Sequence, residues 1–175
     1  MKTHLIELPI STRDGTFVAR YSDNGLAELD FPHHGRAELP LGQAARQRRP
    51  TTSGPVPATV KSWHRLTQSA LKKILAGKDP KKLPPFDWNN ATDFQKAVWR
   101  QMLKLSAGRT KSYGEVAAAI RNRKAVRAVG SACGANPIPV LVPCHRILAA
   151  NKKIGGFGGG LDWKRKLLGR EGVQF

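Results

Sequence analysis

Three prolines within eight residues, Lys78–Pro85, break the chain where its hydrophobic pattern changes. A strand buries every second residue and a helix buries one stripe, so a change of period marks a change of architecture. Upstream, Phe17, Ala19 and Tyr21 alternate before Asn24-Gly25, and Leu29 and Phe31 answer after it. Asn-Gly tolerates positive φ, which predicts a β-hairpin over Phe17–Phe31 with the turn at Asn24-Gly25. Leu5–Ile10 adds a possible further strand. Trp63–Ala76 carries Trp63, Leu66, Ala70, Leu71, Ile74 and Leu75 at helical spacing and stops at Gly77 and Pro80. Arg36–Ala58, rich in Arg, Pro, Gly and Thr and without period, reads as a long loop. Lys78–Pro85 is then a linker between a small α/β part, residues 1–85, and a mostly helical part, residues 86–175.

Charge narrows the partners. The formal net charge is +18, with 14 Lys/Arg against 7 Asp/Glu in residues 1–85 and 16 against 5 in residues 86–175. Such an excess fits a polyanion, nucleic acid being the commonest, or a surface that only keeps the chain in solution. No apolar run is long enough to cross a membrane, and Met1–Ile10 is too polar for a signal peptide. Cys133 and Cys144 are too few for a disulfide framework or a cysteine-rich zinc site, and the adjacent His33-His34 read as loop residues. The expectation is a reduced, intracellular protein.

In the second part, Thr92-Asp93-Phe94-Gln95 and Ser112-Tyr113-Gly114-Glu115 are capping boxes. The first opens a helix with Phe94, Val98, Met102 and Leu105 on one face. The second opens a short helix with Tyr113, Val116, Ala117 and Ile120 inward. A basic turn, Arg121–Lys124, leads to a helix over about Ala125–Ala135, and two short helices about a tight turn suggest a helix-turn-helix. Val126, Val129 and Cys133 should face the core, making Cys133 a small inert core residue. Arg127, Gly130, Ser131 and Gly134 share another face with one large side chain. Glycine inside a helix costs about 1 kcal/mol against alanine, so close approach of another surface is expected there. A DNA minor groove or a packed helix would serve equally.

Asn136-Pro137 ends this helix. Ile138–Val142 reads as a short strand and leads into Pro143-Cys144-His145-Arg146. A free thiol is mostly protonated near neutral pH, and an adjacent His can take its proton, with Arg146 adding charge that favours thiolate. Trp163, Leu167 and Glu171 share one face of a C-terminal helix capped by Gly172. Glu171 either turns inward to orient His145 or lies solvated in a frayed turn. Gly155–Gly160 lacks the Gly-Lys-Ser/Thr ending of a nucleotide loop. It either admits a flat ligand or is merely flexible.

Together these segments resemble the O6-alkylguanine-DNA alkyltransferase family across Phe94–Gly172. The matching residues are Phe94-Gln95, Val98-Trp99, Gly108-Arg109-Thr110, Ser112-Tyr113, Arg127–Gly130, Asn136-Pro137, Pro143–Arg146, Gly159-Gly160, Leu167-Leu168 and Glu171-Gly172. The resemblance implies an α+β chain, with a small ribonuclease H-like α/β roll ahead of a winged helix-turn-helix domain. It implies direct-reversal repair, in which Cys144 takes the alkyl group from O6-alkylguanine, and possibly O4-alkylthymine, irreversibly and once. His145 is the implied base through a water, Glu171 its orienting partner, Asn136 a support of the turn, and Tyr113 an aid to protonation of the leaving guanine. The implied partner is duplex DNA bound in the minor groove, with Arg127 filling the gap left by a flipped base. Ala128, Gly130, Ser131, Arg123 and Lys124 would complete the DNA surface, and Phe157, Gly158 and Gly159 the substrate pocket. No cofactor, metal or membrane is implied, and a cytoplasmic (in a eukaryote, nuclear) monomer is expected. Phe157 and Gly158 stand where many members carry Tyr and Ser, Ser106 where proline is common, and Arg121–Lys124 replaces a Gly/Pro-containing turn. Three rivals remain: a relative that binds the lesion without reacting, a DNA-binding regulator, and a Cys-His hydrolase.

Overall fold

A computed structural model describes residues 5–32 and 55–175. His33-His34 and most of the expected 36–58 loop lie outside the described residues. Ile6–Thr12 (β1), Gly15–Ser22 (β2) and Gly25–Asp30 (β3) form an antiparallel sheet in the order β1-β2-β3. The expected alternation holds: Phe17, Ala19 and Tyr21 are fully buried and Leu29 nearly so.

The hairpin turn lies one position earlier than expected, at Asp23-Asn24, because Ser22 pairs with Gly25. Gly25 is needed for what lies above it. Its φ is +145°, and a Cβ there would sit 2.7 Å from the Pro85 carbonyl carbon. The proline-rich segment is thereby laid along the hairpin edge: Leu26 N–H donates to Pro85 O (2.8 Å) and Asp87 N–H to Leu26 O (2.8 Å).

Ala58–Leu75 (α1) starts five residues before Trp63. Its first turn, Ala58–Lys61, is exposed apart from Val60, so the apolar period shows only from the second turn onward. Leu71, Ile74 and Leu75 pack into the core, each contributing about 1.5–3 kcal/mol by burial. Asp93–Met102 (α2) and Tyr113–Ala119 (α3) begin at complete capping boxes on Thr92 and Ser112. Val126–Gly134 (α4) packs against both α2 and α3. The Trp99 indole N–H donates to Ala132 O (2.8 Å), tying α2 to α4. Leu161–Arg170 (α5) follows the glycine loop. One continuous core includes Ile10, Phe17 and Leu71 as well as Val98, Val129, Leu141 and Leu167.

Two expectations need correction. Val126 is 40% exposed, and the inward face of α4 is formed by Val129 and Ala132, with Cys133 half-buried. Packing on α2 and α3 rotates the stripe by about one position. Ile138–Val142 is a closed turn instead of a strand: Val142 N–H donates to Ile138 O (3.0 Å), and Val140 has φ +73°. Pro137, Pro139 and Pro143 remove the donors that a ladder would use.

Candidate active site

Every residue from Val140 to Leu148 is buried, although the segment carries Cys144, His145 and Arg146. Cys144–Arg146 is a single 3-10 turn, continued by Ile147–Leu148 (β5). β5 pairs in parallel with Lys111–Ser112 (β4), the two residues that precede α3. The pairing sets Tyr113 beside the Cys144 segment. The Tyr113 hydroxyl also closes on the glycine loop: a Cβ at Gly155 (φ +65°) would lie 3.0 Å from it.

Asn136, two residues beyond α4, reaches the sulfur. Its amide donates to Val142 O (2.9 Å) and Cys144 Sγ (3.2 Å), and its Oδ1 accepts from Ile138 N–H (3.0 Å). All the polar atoms of this side chain are thus committed to shaping the turn around the thiol.

Glu171 turns inward, its side chain 1% exposed. Its Oε1 lies 3.0 Å from His145 Nε2 and 2.9 Å from Arg146 Nη2, and its Oε2 accepts from Gly108 N–H (3.2 Å). Burial pushes the Glu171 carboxyl up, but the bonds from His145 and Arg146 outweigh it and hold it at about 2. Burial pushes the His145 imidazole down, against the pull of Glu171. A neutral ring facing a carboxylate carries its proton on Nε2 and keeps its lone pair on Nδ1. Nδ1 is buried with no partner among the described residues. An unsatisfied buried acceptor is unfavourable by about 1–3 kcal/mol, and such groups concentrate where chemistry needs them.

The Cys144 thiol is pushed up by burial, against the Asn136 hydrogen bond and the charge of Lys164. It rests as the thiol. Arg146, expected to favour thiolate, instead faces Glu171, the Leu105 carbonyl and Asp79 (3.2 Å). The cation whose charge pulls the Cys144 thiol down is Lys164, which the sequence reading missed. It is fully buried on α5, donates from Nζ to Ile147 O (2.7 Å) and Gly156 O (3.1 Å), and burial lowers it to about 8. A signal existed: Lys164 stands on the stripe that continues through Leu167, Leu168 and Glu171. Cys133 is pushed up to about 12 by burial, as befits an inert thiol.

The end of α5 is held from the first half of the chain. Arg170 makes two bonds to Asp14 (2.7 and 2.8 Å), and Lys166 adds a third contact to the same carboxylate (2.8 Å).

The remaining site residues divide into two groups. On α4, Arg127, Ala128 and Ser131 are exposed and Gly130 is half-buried; Arg123 and Lys124 are exposed in the preceding turn. A Cβ at Gly130 or Gly134 would meet nothing within 4 Å, so no helix among the described residues accounts for these glycines. In the glycine loop, Phe157 and Gly159 are half-buried and Gly158 is exposed. The Phe157 ring stands perpendicular to His145 with centroids 6.4 Å apart. No described group of His, Cys, Asp and Glu is arranged to hold a metal ion, and no described helix is long and apolar enough to cross a membrane.

Comparison with known proteins gives the family. Residues 93–173 match a family model described as "6-O-methylguanine DNA methyltransferase, DNA binding domain". A methylated-DNA–protein-cysteine methyltransferase of Methanosarcina mazei is 43% identical over 111 residues, covering 62% of this chain and 68% of that protein. The Haemophilus influenzae protein of the same name is 49% identical over 84 residues, covering 48% of this chain. That match spans about half the length of the Haemophilus relative, 47%. The crystal structure of Mycobacterium tuberculosis OGT in complex with DNA superposes with a TM-score of 0.70 at 34% identity, covering 93% of this chain and 90% of that one. On these likenesses the chain belongs to the O6-methylguanine-DNA methyltransferase family.

Proposed function

We propose that this protein repairs DNA by direct reversal, moving an alkyl group from O6-alkylguanine to Cys144 in a single irreversible step. The observation that carries the reading is the buried Asn136–Cys144 contact beside a His145–Glu171 pair whose Nδ1 is unpartnered. Nδ1 takes the thiol proton, directly or across one water, and Glu171 stabilises the imidazolium that forms. The sulfur attacks the alkyl carbon, the carbon–O6 bond breaks, and its electron pair stays with the guanine. Tyr113 donates toward the departing base as the ring regains a proton, so the thiol proton ends on guanine. The thioether has no leaving group, so one protein repairs one lesion. The displacement uses no redox step, and the reading requires no cofactor or metal.

The DNA surface in this reading is α4 with the Arg121–Lys124 turn. Two glycines, a serine and an alanine leave the helix low enough for a minor groove about 6 Å wide. Arg127 occupies the gap left when the damaged base flips out, as chemistry on a stacked base requires. Asn136 follows α4 directly, so a base extruded at the helix is delivered toward the sulfur. We read α3 and α4 as the helices of a winged helix-turn-helix within residues 86–175, a division supported by the match over 93–173. Residues 1–85 are read as a ribonuclease H-like roll, and the protein as a monomer in solution.

Intact mass tests this. After incubation with excess duplex carrying O6-methylguanine, the protein gains one methyl and never two, while Cys144→Ala gains none and still binds DNA. Binding without any mass change would replace the reading with a lesion-binding or regulatory one.

A further inference from the structure

The glycine loop that faces His145 is seated on a residue of the first half of the chain. Phe31 directly follows β3. Its ring lies 5.6 Å from Phe17, 5.0 Å from Trp163 and 5.7 Å from Phe157 by centroids, the last nearly perpendicular at 74°. Phe157 in turn stands edge-on to His145. One aromatic run therefore joins the hairpin to the catalytic histidine.

Gly159 shows how close this seat is. A Cβ there would fall 2.7 Å from Phe31 Cζ and 2.8 Å from Cδ2, distances that real Cβ atoms do not adopt. Gly159 has no positive φ, so its backbone would accept alanine; the obstacle is the Phe31 ring. That half-buried ring packs against Phe17 and Trp163, so moving it away from Gly159 would disturb both aromatic pairs. The same strand reaches the other side of the centre, where Leu29 N–H donates to Pro137 O (2.9 Å), next to Asn136. From the opposite side, Lys164 Nζ holds Gly156 O.

We propose that Phe31 is a positioning residue that determines alkyl-group specificity. Seated on Gly159 and against Phe157, it fixes how far the 155–160 loop stands from His145 and hence how large a group Cys144 accepts. This rests on the alkyl-transfer reading. Phe157 and Gly158 present no hydroxyl, so the loop has no side-chain hydrogen bond of its own with which to set that distance. The hairpin supplies it by contact.

The test is the ratio of single-turnover transfer rates from duplexes carrying O6-benzylguanine and O6-methylguanine. Phe31→Ala should shift the benzyl-to-methyl ratio by about two- to tenfold, the range of one aromatic pair, with Phe31→Tyr restoring the wild-type ratio. Gly159→Ala should slow both transfers, and Phe31→Leu in the same chain should recover part of the loss by making room for the methyl. Leu71→Ala, remote from the loop, should lower thermal stability without moving the ratio. Labelling of Cys144 by iodoacetamide against N-phenylmaleimide, read by peptide mass, gives a second size ratio that needs no DNA. Wild type silent toward both duplexes would sink alkyl transfer, while the labelling ratio would still decide the role of Phe31. Ratios in folded Phe31→Ala within error of wild type, or a Gly159→Ala defect untouched by Phe31→Leu, would overturn the proposal.

Discussion

The two regions this reading assigns to repair are built on opposite principles. Residues 140–148 bury every side chain, and their polar atoms are almost all paired. The outward face of α4, only six residues upstream, carries mostly small side chains, and nothing among the described residues comes within 4 Å of a Cβ at Gly130 or Gly134. The buried segment keeps a thiol, an imidazole, a guanidinium and a carboxylate in fixed geometry, because an unpaired polar group there is costly. The open face forgoes helix propensity at Gly130 and Gly134 and gains a surface that another molecule can approach. Reactivity is held by enclosure, and recognition by leaving a face empty. Substitutions at the two regions should therefore fail in different ways.

The largest effect is expected at Glu171. Glu171→Ala leaves Arg146 and His145 buried without their carboxylate, and breaking such a buried pair destabilises by about 3–5 kcal/mol. Denaturant unfolding measures that loss, and alkyl transfer should fall with it. The pH dependence follows from the carboxyl, held at about 2 against an ordinary 4.5. A depressed acid stabilises fully above its unfolded value, so its contribution is complete above about pH 4.5 and disappears toward pH 2. A wild-type acid limb matched by Glu171→Gln would count against it.

Lys164 should show a slope of the same sign at higher pH. Burial holds it at about 8 against 10.5, so the unfolded chain binds more protons between these values and stability rises with pH across that window. The melting temperature of wild type should rise relative to that of Lys164→Met from pH 8 to 10.5. A pH-independent difference would mean that the ammonium does not titrate there.

The smallest effect separates the regions most cleanly. Gly130→Ala puts a methyl into open space inside a helix and should stabilise by about 0.5–1 kcal/mol, read as a raised melting temperature. Gly130→Leu should remain folded yet weaken DNA affinity, measured by titration at fixed salt. If the leucine variant binds as tightly as wild type, α4 is not the contact surface.

Local patterns were legible wherever one segment carried the whole signal. The capping boxes at Thr92 and Ser112, the alternation of Phe17, Ala19 and Tyr21, and the smooth face of α4 required no knowledge of neighbours. Glu171 was half legible: its stripe was visible, but whether it turned inward depended on Arg146 and Gly108. The errors share a cause. Val126 was assigned to the core by a period correct to one position, and the phase was set by packing on α2 and α3. Ile138–Val142 looked like a strand because apolarity outweighed its prolines. Lys164 was passed over because a lysine on an apolar stripe is recognised as buried only when carbonyls such as those of Ile147 and Gly156 are seen to receive it.

The sequence alone determined the candidate thiol Cys144 and its neighbour His145, the helix starts, the small-residue face and the hairpin. Each depends on residues a few positions apart, and short-range sterics and hydrogen bonding act at that distance. The tertiary structure alone decided that Glu171 meets His145 across 26 positions, that Arg146 faces Glu171 while Lys164 is buried against the Ile147 and Gly156 carbonyls, and that Phe31 packs against the glycine loop. Those contacts join segments whose separation along the chain says nothing about their distance in space, and only the shared core sets which side chains meet.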